Sequence, residues 1–237
     1  MIRNAHGGEF ESTQNRTLAE QAEDLRAGIK VVEKLGDIPK EIGRDASAVL
    51  FEEEAGPEAP FDALMDYAHE NDLSGTVRGT DRKTVDMPPA KDETERRERV
   101  FSTLLDDINS KFPAGDPDAR PHRELLLGIV ADAKKYATLF PEKKLTYIEI
   151  SCNRYEHDEP AQIWHQDTGT YYPNGVRILK TYCGPGTEFA DDEVGTNSLS
   201  TKAGTVSVFP IYPKGAVHRA PPIPAGQTRV LLFMQFD

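Results

Sequence analysis

Cysteine is scarce in this sequence of 237 residues: only Cys152 and Cys183 occur, and neither belongs to a Cys-x-x-Cys pair. The chain therefore lacks the cysteine clusters of structural zinc sites and the dense disulfide framework of small secreted domains. A surplus of positive charge is also missing, since the formal net charge is -12. Proteins that bind nucleic acids usually present a basic face. We therefore expect two reduced thiols and no nucleic-acid partner.

Long apolar runs are absent as well. No stretch of the sequence approaches the roughly 20 apolar residues that span a bilayer, and residues 1–16 lack the basic-then-apolar layout of a signal peptide. We expect a cytoplasmic monomer or homodimer with no membrane partner. Hydrophobic residues make up 38% of the chain and charged residues 29%, which is ordinary for a globular protein with a buried core.

The period of the hydrophobic pattern changes near residue 143. Before it, apolar residues recur every three or four positions, which predicts helices over 17–35, 60–67, 92–112 and 121–140. The stretch 72–91 is rich in Gly, Pro, Thr and charge, and we predict a long loop or lid there. After residue 143 the period is two, which predicts strands over 145–151, 162–167, 176–182, 205–211 and 229–236. The fold class predicted is α+β, with a helical region over 1–143 packed on a small barrel or jelly roll over 144–237.

One pair of residues in the predicted strands has the spacing of metal ligands. Side chains at positions i and i+2 of a strand point the same way, so His165 and Asp167 present an imidazole and a carboxylate together. A mononuclear non-haem iron site needs two imidazoles and one carboxylate on one face of the metal. The sequence thus predicts two of those three ligands in one strand.

The same spacing occurs twice more, in less suitable surroundings. His122-Arg-Glu124 lies in a predicted helix, where positions i and i+2 diverge by roughly 200°. His157-Asp-Glu159 lies in a charged loop and is typical of solvated surface. Only His165 follows apolar strand residues, Ile163 and Trp164. We therefore select His165 and Asp167.

The third ligand must come from a distant strand. His218 follows a strand and a Pro-Lys-Gly turn, and Arg229 follows it in the terminal strand. Strand alternation places Arg229 on the face of Leu231, where an unpaired guanidinium is costly. A dicarboxylate would be a natural partner, because the guanidinium fork matches a carboxylate. Two alternatives stay open: His218 as a core or turn histidine, and Arg229 paired with Glu149 or another acid.

Together, these four residues resemble the signature of the Fe(II)/2-oxoglutarate-dependent dioxygenase superfamily, which is His-x-Asp, a distal His and a following Arg. The resemblance covers about residues 147–237, and it is nearest to an uncharacterised bacterial branch of that superfamily. The motifs that carry the nearer likeness are Arg177-Ile-Leu-Lys-Thr-Tyr182, Gly184-Pro-Gly-Thr-Glu188 and His218-Arg-Ala-Pro-Pro222. The resemblance implies a double-stranded β-helix (a cupin-like jelly roll) as catalytic core.

The resemblance also implies the reaction and its cofactors. His165, Asp167 and His218 would be the catalytic metal ligands for Fe(II), with O2 and 2-oxoglutarate as cosubstrates. Arg229 would bind the far carboxylate of 2-oxoglutarate. An aspartate at the carboxylate position disfavours halogenation, because halogenases of the superfamily have a small residue there. The implied activity is hydroxylation.

Further cosubstrate residues follow from an AlkB-type pattern, in which an Asn and a Tyr before the His-x-Asp contact 2-oxoglutarate. Asn153 and Tyr155 occupy those positions, although the Pro-Gly turn of that branch is replaced by the longer EHDEP. The Arg-x-Ser form common in the superfamily is Arg229-Val-Leu231 in this chain, so the hydroxyl that assists the arginine must come from elsewhere. Tyr147 and Thr181 are candidates for it.

Substrate residues are less well defined by the sequence. Trp164, Arg177, Tyr171 and Tyr172 flank the predicted site and are candidates for lining a pocket. Tyr171 and Tyr172 are equally compatible with an exposed loop, and Arg177 with a structural pair to Glu188. We expect a small polar metabolite, such as an amino acid or a natural-product intermediate, with a protein substrate left open.

Two other functions fit the same ligands. A cupin-like metalloenzyme would use the facial triad without 2-oxoglutarate, and Arg229 would then be structural. A non-catalytic metal-binding or sensing protein would close the coordination sphere and bind zinc tightly.

Overall fold

The computed structural model describes residues 16–53, 60–81, 90–167, 175–211 and 215–237. Its helices are α1 (Leu18–Glu23), α2 (Ile38–Ile42), α3 (Phe61–Glu70), α4 (Glu93–Lys111) and α5 (Arg120–Ala137), with a short 3-10 turn at Leu35–Asp37. Its strands are β1 (Ile29–Val31), β2 (Ala48–Glu52), β3 (Val77–Thr80), β4 (Leu145–Arg154), β5 (Val176–Cys183), β6 (Glu188–Ala190), β7 (Ser198–Ser200), β8 (Thr205–Pro210), β9 (Val217–Arg219) and β10 (Thr228–Phe236). None of the helices in these ranges is long and apolar enough to cross a membrane.

The strands form a large mixed sheet and a small sheet. The order in the large sheet is β1-β2-β8-β5-β10-β4-β3, and the order in the small sheet is β7-β6-β9. Within the large sheet β1 and β2 are parallel, and the other neighbours are antiparallel. The assignment of a double-stranded β-helix remains a prediction at this point.

Strand β10 separates two hydrophobic cores. Its residues alternate between fully buried and partly buried, as expected of a central strand with different surroundings on its two faces. Leu232 and Met234 belong to a core that includes buried residues of α3, α4 and α5. Leu231 and Phe233 pack instead against a second core, which includes Phe189 of the small sheet. The second face is the one that carries the candidate site.

The predicted helix over 17–35 is wrong beyond its first turns. Helix α1 begins with a reciprocal cap, in which Thr17 Oγ1 accepts from the Glu20 N–H and Glu20 accepts from the Thr17 N–H. The helix ends at Glu23, and Gly28 beyond it adopts a φ of +72°, a left-handed conformation through which a helix does not continue. The apolar residues that follow form β1, which pairs with β2 in the large sheet.

The predicted loop over 72–91 is also partly wrong, because it contains β3. Gly79 lies in this strand, where a Cβ atom would stand 2.3 Å from the backbone oxygen of Val100 in α4. A glycine is needed for that close approach, although glycine in a sequence usually indicates a loop. Residues 82–89, where a lid was predicted, lie outside the described residues. Because β1, β2 and β3 precede residue 143, the first part of the chain is not purely helical.

Candidate metal centre

The two predicted halves of the metal site meet through their backbones. His165 and His218 form an antiparallel bridge, with N–H to O distances of 3.0 Å and 2.9 Å in the two directions. Gln166 adds a side-chain hydrogen bond of 2.9 Å to the Gly215 carbonyl oxygen. The strand predicted over 162–167 is therefore reduced to this bridge, and the segment lies beside β9. This pairing brings two histidines that are distant in sequence side by side.

Three potential ligand atoms face one another at this bridge. One atom from each of His165, Asp167 and His218 lies within 4.8 Å of the other two. Asp167 Oδ1 is 4.0 Å from His165 Nε2, and Asp167 Oδ2 is 3.7 Å from His218 Nε2. These separations are too long for hydrogen bonds. They leave room for an ion between the three side chains.

Each imidazole is oriented by its other nitrogen. His165 Nδ1 lies 2.9 Å from the Ile163 carbonyl oxygen, and His218 Nδ1 lies 3.0 Å from the Ala216 carbonyl oxygen. A carbonyl can only accept, so in the neutral imidazole each Nδ1 carries the proton and each Nε2 presents its lone pair to the space between the three side chains. Metal-binding histidines are commonly held in this way. Burial lowers the pKa of His218, with Asp167 acting against that shift, which favours the neutral ligand form.

The carboxylate has one satisfied oxygen and one that has no partner. Asp167 Oδ1 forms an ion pair with Arg177 Nη1. Asp167 Oδ2 is buried and has no hydrogen-bond partner among the described residues. A buried unsatisfied carboxylate oxygen is costly, and a divalent cation at this position would remove the cost. The residues present thus fit a metal ion.

The ligand types narrow the choice of metal. Two imidazoles and one carboxylate with open positions are the facial triad of non-haem iron(II) sites. A structural zinc site would have four protein ligands. Among the described residues, His165, Asp167 and His218 form the single group of three or more candidate ligands. His122 lies on α5 with its ring 4.9 Å from that of Tyr67, away from this group.

Arg229 faces the same space without a carboxylate partner in the described part of the chain. Its Nε donates to the Pro185 carbonyl at 3.0 Å, and its Nη2 lies 3.4 Å from the Gly186 carbonyl oxygen. Burial lowers its pKa, and the electrostatic interaction with Tyr155 opposes that shift. The alternative partner Glu149 is engaged by Arg78 at 2.7 Å instead. Arg229 therefore has capacity to bind an anion.

One cavity of about 270 Å³ joins Arg229 to the three candidate ligands. Its remaining lining mixes apolar and polar side chains: Gln162, Arg177, Leu179, Thr187, Phe209, Arg219, Ala220, Leu231 and Phe233. Of these, the sequence had indicated only Arg177 as a lining residue. The period-two pattern of β5, β8 and β10 was a usable signal for Leu179, Phe209, Leu231 and Phe233. Thr187, which also lines the cavity, lies in the Gly184-Pro-Gly-Thr-Glu188 motif, but the sequence assigned it no role.

Some of the predicted cosubstrate residues lie near Arg229, and others do not. Asn153 lies directly opposite Arg229 in the β4–β10 register, and its amide donates to the Ser151 hydroxyl at 2.6 Å. Tyr155 lies close enough to Arg229 to interact with its guanidinium electrostatically. Thr181 is buried and does not line the cavity. The Tyr147 hydroxyl donates to Glu149 at 2.5 Å, so neither predicted hydroxyl partner contacts Arg229 in the contacts described.

The predicted substrate residues also differ in whether they line the cavity. Trp164 does not line the cavity; its ring packs against Gly195 and lies 4.1 Å from the Arg219 guanidinium. Arg177 does line it, and its carboxylate partner is Asp167 rather than Glu188, which pairs with Arg219 at 2.6 Å. Tyr171 and Tyr172 lie outside the described residues. Cys152 and Cys183 are not joined in a disulfide, and burial raises the pKa of Cys152 to about 12.

No protein-family model matches the chain, and no curated protein matches it. Among solved structures, it is similar to the dioxygenase for auxin oxidation of rice, with a TM-score of 0.43, 16% identity, and coverage of 87% of this chain and 82% of that one. It is also similar to a prolyl-4-hydroxylase of Pseudomonas putida (TM-score 0.41, 12% identity, 86% of this chain, 98% of that one). The match to EvdMO1 has a TM-score of 0.35 and 19% identity, and it covers 48% of this chain and 32% of EvdMO1, about a third of its length. Since all these TM-scores lie below 0.5, the functional conclusions rest on the site itself.

Proposed function

We propose that the protein is an Fe(II)- and 2-oxoglutarate-dependent oxygenase that hydroxylates a small polar metabolite. The observation that carries the proposal is the pairing of two groups in one cavity: an oriented His-Asp-His triad and a guanidinium without a carboxylate partner among the described residues. The triad matches the ligands of iron(II). Arg229 matches the carboxylate of a dicarboxylic acid.

The order of the strands supports a double-stranded β-helix. From β4 to β10 the chain passes repeatedly between the two sheets. Strands β4, β5, β8 and β10 join the large sheet, whereas the His165 segment, the consecutive pair β6 and β7, and β9 join the small one. Jelly rolls are built from eight strands in two facing sheets. In this fold the metal ligands come from the small sheet and Arg229 from the large one, so the cavity lies between the sheets.

Each residue has a defined task in this proposal. His165, Asp167 and His218 hold the ion, which supplies the oxygen-activating redox chemistry when bound. Arg229 binds the far carboxylate of 2-oxoglutarate, assisted by the Tyr155 hydroxyl. The apolar part of the wall, including Phe209 and Leu231, excludes water from the cosubstrate.

Thr187 is a candidate for the hydroxyl that lies near the cosubstrate. It is buried in the cavity wall, and its backbone N–H is held by the Thr201 hydroxyl at 2.8 Å. This position is suited to a hydroxyl donor, which the superfamily often places beside its arginine and which Leu231 does not supply. Thr187 replaces Tyr147 and Thr181 in that role in our proposal.

The test is a stepwise reconstitution without oxygen. Iron(II) is added to the metal-free protein and then 2-oxoglutarate, and the weak visible charge-transfer band of the iron chelate is recorded. Oxygen is then admitted, and succinate release is measured. We expect the band and oxygen-dependent succinate, which forms slowly even when no substrate is present.

The matched variant is Arg229→Gln, which removes the guanidinium but no metal ligand. We expect the concentration of 2-oxoglutarate needed for half of the band to rise about 30-fold or more, since truncating one partner of a buried charge pair costs about 2–5 kcal/mol. A cupin-like enzyme that does not use 2-oxoglutarate would give no band in either protein. A zinc-binding sensor would take up zinc tightly and exclude iron(II).

A further inference from the structure

Arg177 is held in place by two contacts, one with an aromatic ring and one with a carboxylate. It lies in β5, and its guanidinium is 5.1 Å from the ring centroid of Phe233, within the range of a cation–π interaction. Its Nη1 forms the ion pair with Asp167 Oδ1. Its side chain is 25% exposed and that of Asp167 is 9% exposed, so the pair is shielded from most of the solvent.

We infer that Arg177 is a positioning residue for the metal ligand Asp167, which it restricts to one donor oxygen. The inference rests on the metal site of the proposed function. Arg177 engages Oδ1, whereas Oδ2 is buried without a hydrogen-bond partner in the described ranges and lies 3.7 Å from His218 Nε2. A free carboxylate can rotate or bind a metal through both oxygens. The ion pair prevents both, so one oxygen is presented to the ion and the remaining coordination positions stay open.

Arg177 and Arg229 line the same cavity but have different partners. Arg177 lies at the beginning of β5, and its Nη1 forms an ion pair with Asp167. Arg229 instead contacts the backbone carbonyls of Pro185 and Gly186, beyond the end of that strand. In the described part of the chain, Arg177 is therefore the arginine whose side chain engages a candidate metal ligand.

Charge alone predicts the opposite effect, which makes the inference testable. A guanidinium near a divalent cation repels it, so its removal should tighten metal binding if repulsion is the main effect. If Arg177 positions Asp167, its removal should weaken metal binding. Loss of a group that orients a metal ligand typically costs about 10–100-fold in metal affinity.

The experiment measures cobalt(II) binding to the metal-free protein without 2-oxoglutarate. Affinity is measured by calorimetry, and the visible bands of bound cobalt(II) report its coordination number. We expect about a 10–100-fold weaker affinity and changed visible bands for Arg177→Gln. Arg177→Lys should fall between that variant and the unmodified protein, because lysine keeps the charge without the guanidinium fork.

Arg229→Gln is the matched control, since it removes a guanidinium from the same cavity without touching Asp167. We expect its cobalt(II) affinity to stay within about threefold of that of the unmodified protein. In binding free energy this is less than half of the roughly 1.4 kcal/mol that corresponds to a tenfold change. Unchanged or tighter binding by Arg177→Gln would overturn the inference. If that variant does not fold, as judged by its thermal transition, unchanged binding and bands in Arg177→Lys would do so.

This measurement is separate from the test of the proposed function. A protein that shows no 2-oxoglutarate chelate but loses cobalt(II) affinity in Arg177→Gln would retain the positioning role and lose the oxygenase proposal. A protein with the chelate band and normal cobalt(II) affinity in Arg177→Gln would retain the oxygenase proposal and lose the positioning role of Arg177.

Discussion

Strand β5 carries two charged clusters on its opposite faces, and they differ in how completely their polar groups are paired. On the helix-covered face, Lys180 forms ion pairs with Glu53 and with Asp132, the latter at 2.8 Å. Tyr136 donates to Glu53 and Tyr182 donates to Asp132, both at 2.8 Å. These five residues are the Lys180 cluster. On the other face, beside the three candidate metal ligands, Asp167 Oδ2 and Arg177 Nε are buried without a hydrogen-bond partner among the described residues.

The pKa shifts follow the same division. Burial would raise the pKa of Glu53, but hydrogen bonds from Lys135, Lys180 and Tyr136 outweigh it and lower that pKa. The Lys180 cluster therefore stabilises its own charges. The pKa values of His218 and Arg229 are both lowered mainly by burial, with only partial compensation by neighbours. A ligand would provide the missing compensation on that face.

The difference distinguishes a structural charge cluster from a binding site. Both clusters are buried and charged, so neither burial nor charge separates them. What separates them is the presence of buried groups without partners, which cost stability and are retained where a ligand satisfies them. If this comparison is right, changes in the Lys180 cluster should affect stability alone, and changes at the metal centre should affect binding alone.

The largest expected effect is on stability, in Lys180→Met. The substitution leaves two carboxylates without their buried cation, and breaking a buried ion pair costs about 3–5 kcal/mol. For a chain of this size, the thermal transition should fall by about 6–20 °C, while cobalt(II) affinity stays unchanged. The control is Lys202→Met, which removes an exposed pair with Glu52 and should cost at most about 1 kcal/mol. Equal losses in the two variants would contradict the comparison.

The next effect is on binding, in His218→Leu. Loss of an orienting residue costs at most roughly 100-fold in metal affinity, which corresponds to about 2.7 kcal/mol. Loss of a direct ligand should reduce cobalt(II) affinity by more than this. Its ring packs against those of Phe189 and Phe209, at centroid distances of 6.1 Å and 4.7 Å, so leucine fits an apolar site. The free energy of unfolding should change by less than about 1.5 kcal/mol, because the substitution removes one hydrogen bond, that of His218 Nδ1. A large drop in denaturation midpoint would instead indicate a structural histidine.

A smaller effect is expected at alkaline pH. Burial, together with the negative charges of Glu53 and Asp132, raises the pKa values of Tyr136 and Tyr182. Because the folded pKa values are raised, this stability is complete below the unfolded pKa of about 10 and is lost as pH rises above it, by up to about 1.4 kcal/mol per pH unit for each tyrosine. Phenolate absorbance should show these two of the eight tyrosines ionising only on unfolding. In Tyr182→Phe, the free energy of unfolding should fall less steeply as pH rises. If all eight tyrosines ionise while the protein is still folded, the pKa values of Tyr136 and Tyr182 are not raised by the Lys180 cluster.

The smallest effect is expected for the stability of Arg229→Gln. The guanidinium donates to two backbone carbonyls but has no carboxylate partner among the described residues, so its removal relieves a buried charge and loses modest hydrogen bonds. We expect the free energy of unfolding to change by no more than about 1 kcal/mol, measured in urea without ligand. A loss as large as that of Lys180→Met would mean that Arg229 is structural.

Parts of the fold and site were predictable from local pattern. In four long segments, the period of the hydrophobic pattern predicted the elements α4, α5, β4 and β10 to within a few residues. The pattern is clear there because each element buries one face along its whole length. The short strands β6, β7 and β9 were missed, since three residues carry too little periodicity. Strand β3 was missed because Gly79 is required by the approach of α4, a contact that local sequence does not encode.

The sequence by itself determined the donor types: one His-x-Asp in an apolar strand, a later histidine and an arginine in the last predicted strand. It left open whether His218 was a core residue and whether Arg229 paired with Glu149. Only the tertiary structure decided which residues these two side chains lie near, because the His165–His218 bridge and the Arg78–Glu149 pair join distant segments. It also decided the partner of Arg177, since an ion pair is set by geometry in space and not by spacing along the chain.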